Sequence, residues 1–299
     1  MAAQPQGCFI KLYCDDGKEE EYELHSIHYK LHPTGVAVCT FNTPKNMNCL
    51  AINQQWEMFA LLDHMRRDGD VKVAIWTGSG KAFNAGADLR GDGTIYVPKH
   101  ARKSMLARGM GPVQGDFVLK PHTIAFWDFP KPSICAVNGL AVGGAANMAL
   151  TNQHDLVICS TDARFMYPFP KLGFTPELGS SYMLPYLIGL ARTKEVFYLS
   201  DWFSAEQAKE WGLVNKVVAP DQLLPEAMQL AERLCLLHPA AVQQSKKILN
   251  SHIRSKLEQI LDDESAVINA SLLATGGPPQ VGKYMKKQDE LIKQLKAKL

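Results

Sequence analysis

Seven residues, Val71-Lys72-Val73-Ala74-Ile75-Trp76-Thr77, form an almost unbroken apolar run. The run is short and lacks the alternating polar positions of a strand with one wet face, so it reads as a β-strand buried on both sides. Such a strand needs a layer of structure above and below it, which restricts the chain to a few architectures. The same kind of run returns in Val36-Ala37-Val38-Cys39-Thr40-Phe41, in Pro132 to Val137 and in Asp155 to Cys159. Between them, Asn53 to Arg67 carries Trp56, Phe59, Leu62 and Met65 at three-residue steps, one stripe of an amphipathic helix, and Gly143 to Asn152 reads as a helix of small residues. Buried strands alternating with helices predict parallel strands joined by helical crossovers, an α/β core. With 299 residues, 46% of them hydrophobic, the chain has ample material for one large core and a smaller appendage.

Composition shifts divide the chain in three. Residues 1–34 are polar, acidic from Asp15 to Glu23, and read as an N-terminal extension or edge hairpin; residues 35–218 hold the α/β core; residues 219–299 are helical. The helical part is expected at Leu223 to Leu237, Ala240 to Ser251 and Lys283 to Leu299, with Gly276-Gly277-Pro278-Pro279 as a break. Residues 90–125, studded with glycine, read as a long excursion beside the core. A net charge of +2 from 32 basic and 30 acidic residues gives no electrostatic case for nucleic acid. No apolar stretch approaches the roughly 20 residues that span a bilayer, and Met1 to Gly7 lacks the pattern of a secretory signal. Seven scattered cysteines without a C-x-x-C pair predict free thiols, and nine histidines without ligand spacing predict no metal. The final Ala297-Lys298-Leu299 is a near variant of the S-K-L tripeptide read by a peroxisomal import receptor; an ordinary lysine-rich helix end fits the same residues.

Two glycine segments carry the chemistry. Gly78-Ser79-Gly80-Lys81 is not a phosphate loop, since Ile75 and Ala82 stand where that motif needs glycine and serine or threonine. Gly86-Ala87 and Gly143-Gly144 each follow an expected strand, where a turning chain can offer unpaired amides, and the second opens a helix at its positive end. Two amides converging on one oxygen make an oxyanion hole; either segment taken alone fits a tight turn equally well. Glu177 stands in Phe174-Thr175-Pro176-Glu177-Leu178-Gly179-Ser180-Ser181 as a lone acid among apolar and small residues. On its own it also fits a solvent-facing carboxylate at a helix start.

Phe83-Asn84-Ala85-Gly86-Ala87-Asp88-Leu89 and Lys131-Pro132-Ser133-Ile134-Cys135-Ala136-Val137-Asn138-Gly139-Leu140-Ala141-Val142-Gly143-Gly144 resemble the two signature segments of the crotonase (enoyl-CoA hydratase/isomerase) superfamily. Asn42-Thr43-Pro44-Lys45-Asn46-Met47-Asn48 resembles its Asn-x-Pro segment, and Phe203 to Asn215 its late A-x-x-A-x-x-x-G-L-V segment. The resemblance spans about residues 35–218. It implies a spiral of ββα units, a helical C-terminal trimerisation region and an acyl-coenzyme A thioester as ligand, with coenzyme A entering as part of the substrate and no separate cofactor. It also implies that the amides of Ala87 and Gly144 hold the thioester oxygen and that Ala85, Gly86, Asp88, Leu89, Gly143, Asn147, Phe169 and Phe174 surround the substrate. Lys45 and the backbone of Ala85 are placed toward coenzyme A by family position alone.

Hydratases of this family carry one glutamate after the second glycine pair and another on the following strand-loop. Asn147 and Phe169 occupy those positions here. Glu177 instead matches the single glutamate of the peroxisomal type of Δ3,Δ2-enoyl-CoA isomerase, in a similar Pro-Glu-x-x-Ser-Ser setting. The resemblance thus implies an isomerase of unsaturated fatty-acid breakdown, assembled as a homotrimer or a dimer of trimers; together with Ala297-Lys298-Leu299 it points to the peroxisome or a related organelle, with the cytoplasm as the alternative. Pro168, Phe169, Phe174 and Leu178 are expected to desolvate the Glu177 carboxyl group and raise its pKa. Two other readings stay open: another reaction on an acyl-CoA (hydration or dienoyl isomerisation), and a non-catalytic module that binds acyl-CoA or a protein.

Overall fold

The computed structural model describes residues 8–14, 17–88, 94–111, 120–151 and 153–275. The N-terminal residues form an antiparallel hairpin of β1 (Phe9–Tyr13) and β2 (Glu19–Glu23). Next, β3 (Ile27–Leu31) turns back antiparallel onto β4 (Val36–Phe41), so part of the segment read as an extension forms an edge of the main sheet. Helix α1 (Ile52–Arg67) leads to β5 (Val73–Gly78) and β6 (Ala82–Asn84). Helices α2 (Lys99–Ala107) and α3 (Lys120–Trp127) lie in the glycine-studded excursion and precede β7 (Ser133–Val137) and β8 (Leu140–Val142). Then come α4 (Gly144–Leu150), β9 (Leu156–Ser160), β10 (Arg164–Met166), α5 (Phe169–Leu172) and α6 (Ser180–Leu199). The remaining elements are β11 (Phe203–Ser204), α7 (Ala205–Glu210), β12 (Lys216–Val218), α8 (Leu223–Cys235) and α9 (Pro239–Thr275).

From β5 to β10 the strands are dealt alternately to two sheets. β5, β7 and β9 join a six-stranded sheet of order β12-β9-β7-β5-β4-β3, while β6, β8 and β10 join a four-stranded sheet of order β11-β10-β8-β6. Over this stretch each turn of the chain places one strand in each sheet before a helix returns it, the spiral of ββα units that the family resemblance implies. Within the large sheet all neighbours are parallel except β3 with β4.

The doubly buried runs serve two cores. On one face Ala37, Cys39, Phe41, Ala74, Trp76, Cys135 and Val137 join the larger cluster, which includes Trp56, Phe59 and Leu62 of α1. On the other, Val36, Val38, Val73, Ile75, Ile134 and Ala136 meet Leu223, Ala227 and Ala231 of α8, spaced one helical turn apart. Lys131, buried at the entry to β7, donates from Nζ to the carbonyls of Met65 and Asp68 at 2.6 and 2.5 Å and so caps the C-terminal end of α1.

Helix α9 is longer than its sequence reading, which stopped at Ser251. No glycine or proline falls between Ala240 and Thr275, so nothing breaks the helix. The extra turns carry Leu257, Leu261 and Ile268, which pack with Trp127 of α3 and Met183 of α6 in a third cluster. The expected Lys283 to Leu299 helix, the Gly276-Gly277-Pro278-Pro279 break and the Ala297-Lys298-Leu299 end lie outside the described residues. Among the described residues, no helix is long and apolar enough to cross a membrane.

Candidate active site

The two glycine segments are neighbours because their strands are paired. β6 and β8 run parallel, with Ala82 opposite Leu140 and Asn84 opposite Ala141, so the turns that follow them leave the sheet at the same end. Asn48 holds the first segment, donating from Nδ2 to the carbonyls of Ser79 (2.9 Å) and Ala82 (2.8 Å) while its Oδ1 accepts from the Thr43 amide (2.8 Å). Gly86 follows with φ +86°, and a Cβ there would lie 2.6 Å from the Val142 carbonyl oxygen. Only glycine lets the first turn sit this close to the strand that feeds the second. The Ala85 amide donates to Met47 (3.0 Å).

Ala87 forms a parallel bridge with Leu50, in which the Gly86 carbonyl accepts from Leu50 (2.8 Å) and the Asp88 amide donates to it (3.4 Å). Successive peptide groups of an extended chain point to alternate sides, so the Ala87 N–H faces away from Leu50. In the second segment the Gly143 amide is used, donating to Met166 at 2.9 Å, and Gly144 is the first residue of α4, whose N–H has no carbonyl one turn earlier within the helix.

Glu177 is brought to this second turn. Its Oε1 lies 3.0 Å from the position of a Cβ on Gly144, and Leu178 Cδ1 lies 3.5 Å from the same point. The Glu177 backbone carbonyl accepts from Asn147 Nδ2 (2.8 Å), Ser180 Oγ (2.7 Å) and the Ser180 amide (3.0 Å). Leu178, fully buried, adopts φ +54°, a left-handed conformation that costs a non-glycine residue roughly 1–2 kcal/mol. Leu178 thus keeps a strained backbone next to Glu177, whose carbonyl is held by three hydrogen bonds.

Asn147 is fully buried and its Oδ1 has no hydrogen-bond partner among the described residues. Phe169 is buried at the start of α5, 6.0 Å between ring centroids from both Tyr167 and Phe197, and its Cε1 lies 3.9 Å from a Cβ position on Gly143. Phe174, half-buried, donates its amide to the Phe169 carbonyl at 2.8 Å. Neither Asn147 nor Phe169 has a group that exchanges a proton near neutral pH.

Asp88 lines a cleft of about 640 Å³ with His25, Ser26, Thr43, Asn46, Cys49, Ala51, Asn53, Gln54, Thr94 and Tyr96. Lys45 is exposed beside it, and its neighbours Thr43 and Asn46 form the wall. Leu89 lies outside the described residues. Sequence reading did not find His25 and Tyr96, which stack in the cleft with centroids 4.2 Å apart and planes 2° from parallel. The hairpin end that presents His25 is anchored by buried Glu57, which accepts from the His25 amide (2.7 Å), the Ser26 amide (2.8 Å) and Tyr22 OH (2.9 Å). Among the described residues, one group of metal-ligand types occurs away from this site: Cys14, Glu20 and His100, with ligand atoms within 4.8 Å of one another. His100 Nε2 and Glu20 Oε2 lie 2.8 Å apart in this group.

Residues 32–272 match the family model described as enoyl-CoA hydratase/isomerase. The 1,2-epoxyphenylacetyl-CoA isomerase of Escherichia coli is 33% identical over 233 residues, covering 77% of this chain and 84% of that protein. The short-chain-enoyl-CoA hydratase of Clostridium acetobutylicum is 33% identical over 231 residues, 77% of this chain and 83% of that protein. Among solved structures, an enoyl-CoA hydratase/isomerase from Pseudoalteromonas atlantica superimposes with a TM-score of 0.74 at 25% identity, covering 88% of this chain and 98% of the other. With its paired glycine turns and the alternate dealing of strands to two sheets, the chain is a member of the enoyl-CoA hydratase/isomerase family, the crotonase superfamily.

Proposed function

We propose that this chain is a Δ3,Δ2-enoyl-CoA isomerase, which moves the double bond of a 3-enoyl-CoA into conjugation with the thioester. The observation that carries the reading is the placement of the Glu177 carboxylate against Gly144, 3.0 Å from its Cβ position, while Asn147 and Phe169 hold the two places where hydratases keep acids. In this mechanism Glu177 takes a proton from C2, and the electrons of the broken C–H bond flow into the thioester to give a dienolate. The amides of Ala87 and Gly144 stabilise the negative oxygen, each donor contributing about 3–4 kcal/mol in the transition state. Glu177 then returns the proton at C4, the C3–C4 double bond shifts to C2–C3, and the carbonyl reforms. Proton and electrons balance within the substrate and one carboxylate, so the reaction consumes no cofactor.

Family membership alone is compatible with hydration as well, since one relative above is a hydratase and the other an isomerase. Hydration needs a group to activate water and a group to protonate carbon, and one carboxylate beside a neutral amide is poorly equipped for both. In this reading the chain also assembles as a trimer or dimer of trimers, for which the exposed Tyr186, Leu190 and Tyr198 of α6 offer apolar surface. It reaches the peroxisome through Ala297-Lys298-Leu299.

The test is Glu177→Gln assayed on 3-enoyl-CoA, following the ultraviolet absorbance of the conjugated product, with 2-enoyl-CoA in parallel. The expected result is growth of absorbance with wild-type protein, little loss with 2-enoyl-CoA, and at least a hundredfold lower rate for Glu177→Gln with coenzyme A binding retained. Unchanged turnover in the variant would sink the assignment.

A further inference from the structure

Glu264 of α9 is a carboxylate in an expensive place. It is 5% exposed, and among the described residues its oxygens are met by donors rather than by a cation. The Gly179 amide donates to Oε2 at 2.8 Å, and Ser181 donates to Oε1 from its amide (3.0 Å) and its hydroxyl (2.5 Å). Removing a carboxylate from water costs several kcal/mol unless the lost hydration is replaced. Here the replacement is the N-terminal end of α6, whose first amides have no partners inside the helix and carry its positive dipole end.

Helix α6 has no side-chain cap of its own: Gly179 stands at the N-cap position. Glu264 fills that role from 85 residues away in sequence. The approach is close, because Leu257, two helical turns earlier on α9, occupies the space a Cβ on Gly179 would need. Gly179 has φ +78°, so a side chain there would be strained even with room.

The capped residues adjoin the proposed catalytic acid. Glu177 and Gly179 flank Leu178 with its left-handed backbone. Asn147 and Ser180 grip the Glu177 carbonyl on one side, and Glu264 grips Gly179 and Ser181 on the other. Leu178 is therefore held from both ends in its left-handed conformation.

We infer that Glu264 is the positioning residue of Glu177, fixing the first turn of α6 so that the catalytic carboxylate stays against Gly144. It touches no substrate; it acts through the backbone. Neutralising it removes a charged acceptor from three donors, lets the turn fray and allows Leu178 to relax toward ordinary φ, which swings the Glu177 side chain off its target. Misplacement of a reacting group by about 1 Å costs on the order of a hundredfold in rate. The inference rests on the proposed role of Glu177.

The experiment compares wild-type protein, Glu264→Gln, Glu177→Gln and the exposed-face control Glu258→Gln in one isomerase assay, with amide hydrogen exchange measured on residues 174–182. Glutamine keeps the shape of Glu264, and calorimetry establishes the folded fraction. Expected for Glu264→Gln are a ten- to hundredfold fall in kcat, KM within about twofold of wild type, and faster exchange confined to 174–182; Glu258→Gln stays at wild-type kcat. Wild-type kcat in Glu264→Gln while Glu177→Gln is inactive overturns the positioning role, whether or not exchange rises. Unchanged exchange at 174–182 overturns the clamp itself. An active Glu177→Gln refutes the proposed function instead, and that outcome is read in a different variant.

Discussion

Replacing Gly86 by alanine tests whether the two glycine turns act as one device. The added Cβ would sit 2.6 Å from the Val142 carbonyl oxygen, nearer than such atoms approach, so the turn or β8 must yield by at least ~0.4 Å. Left-handed backbone adds roughly 1–2 kcal/mol for alanine. Gly86 is joined to Ala87, and Val142 lies two residues before Gly144, so the displacement falls between the two proposed amide donors. Loss of one oxyanion donor costs about 10²–10³ in kcat, and a partial displacement should cost about 10–100-fold. The expected result for Gly86→Ala is that fall in kcat on 3-enoyl-CoA, together with about 1–3 kcal/mol lost in urea unfolding. A variant with wild-type kcat and the expected stability loss would show that the spacing of the two turns is irrelevant to turnover, and the oxyanion-hole reading would have to go.

Two other perturbations address the same molecule from different sides. Asn147→Ala removes the 2.8 Å bond to the Glu177 carbonyl, and with it a buried orphan oxygen; kcat should fall about tenfold with stability lowered by about 1 kcal/mol or less, and a variant with undiminished kcat would show that this grip is dispensable. Burial pushes His122 and His154 down to about 3, and His122 Nε2 and both ring nitrogens of His154 have no partner among the described residues. Between pH 6.5 and about 3 the unfolded chain holds more protons than the folded one, so stability falls on acidification through that window. His122→Phe and His154→Phe should each recover about 1–3 kcal/mol at pH 4 relative to their effect at pH 7, read from urea midpoints at the two pH values; equal pH dependence in wild type and variants would contradict it.

The doubly buried strands were legible because an apolar run too short for a helix has few other fates, and β5 and β7 fall within one or two residues of their readings. Helices α2 and α3 were not, since the glycines around them read as loop, while packing of Ala101, Met105, Ala125 and Phe126 into the core secures the helices. For the site, the glycine segments were legible as turns following strands, whereas Glu177 was singled out only through the family resemblance, since alone it fits a solvent-facing carboxylate at a helix start. Leu178 was not legible: leucine has no intrinsic leaning toward positive φ, and only its surroundings impose it. Glu264 and the His25–Tyr96 stack escaped for another reason, because each depends on elements distant in the chain whose packing no spacing rule encodes.

The span between Gly179 and Glu264 has a consequence for how the molecule comes into being. At ordinary synthesis rates of about 5–20 residues per second, some 4–17 seconds separate the appearance of Gly179 from that of the carboxylate that caps it. Once Val218 has been added a nascent chain carries all the strands of both sheets, yet until residue 264 the turn beside Glu177 is without its brace. Under the proposed positioning role, the brace of the catalytic turn is the last part of the site to be synthesised. On that proposal, a chain ending before residue 264 would carry the turn beside Glu177 without the carboxylate that holds Gly179 and Ser181.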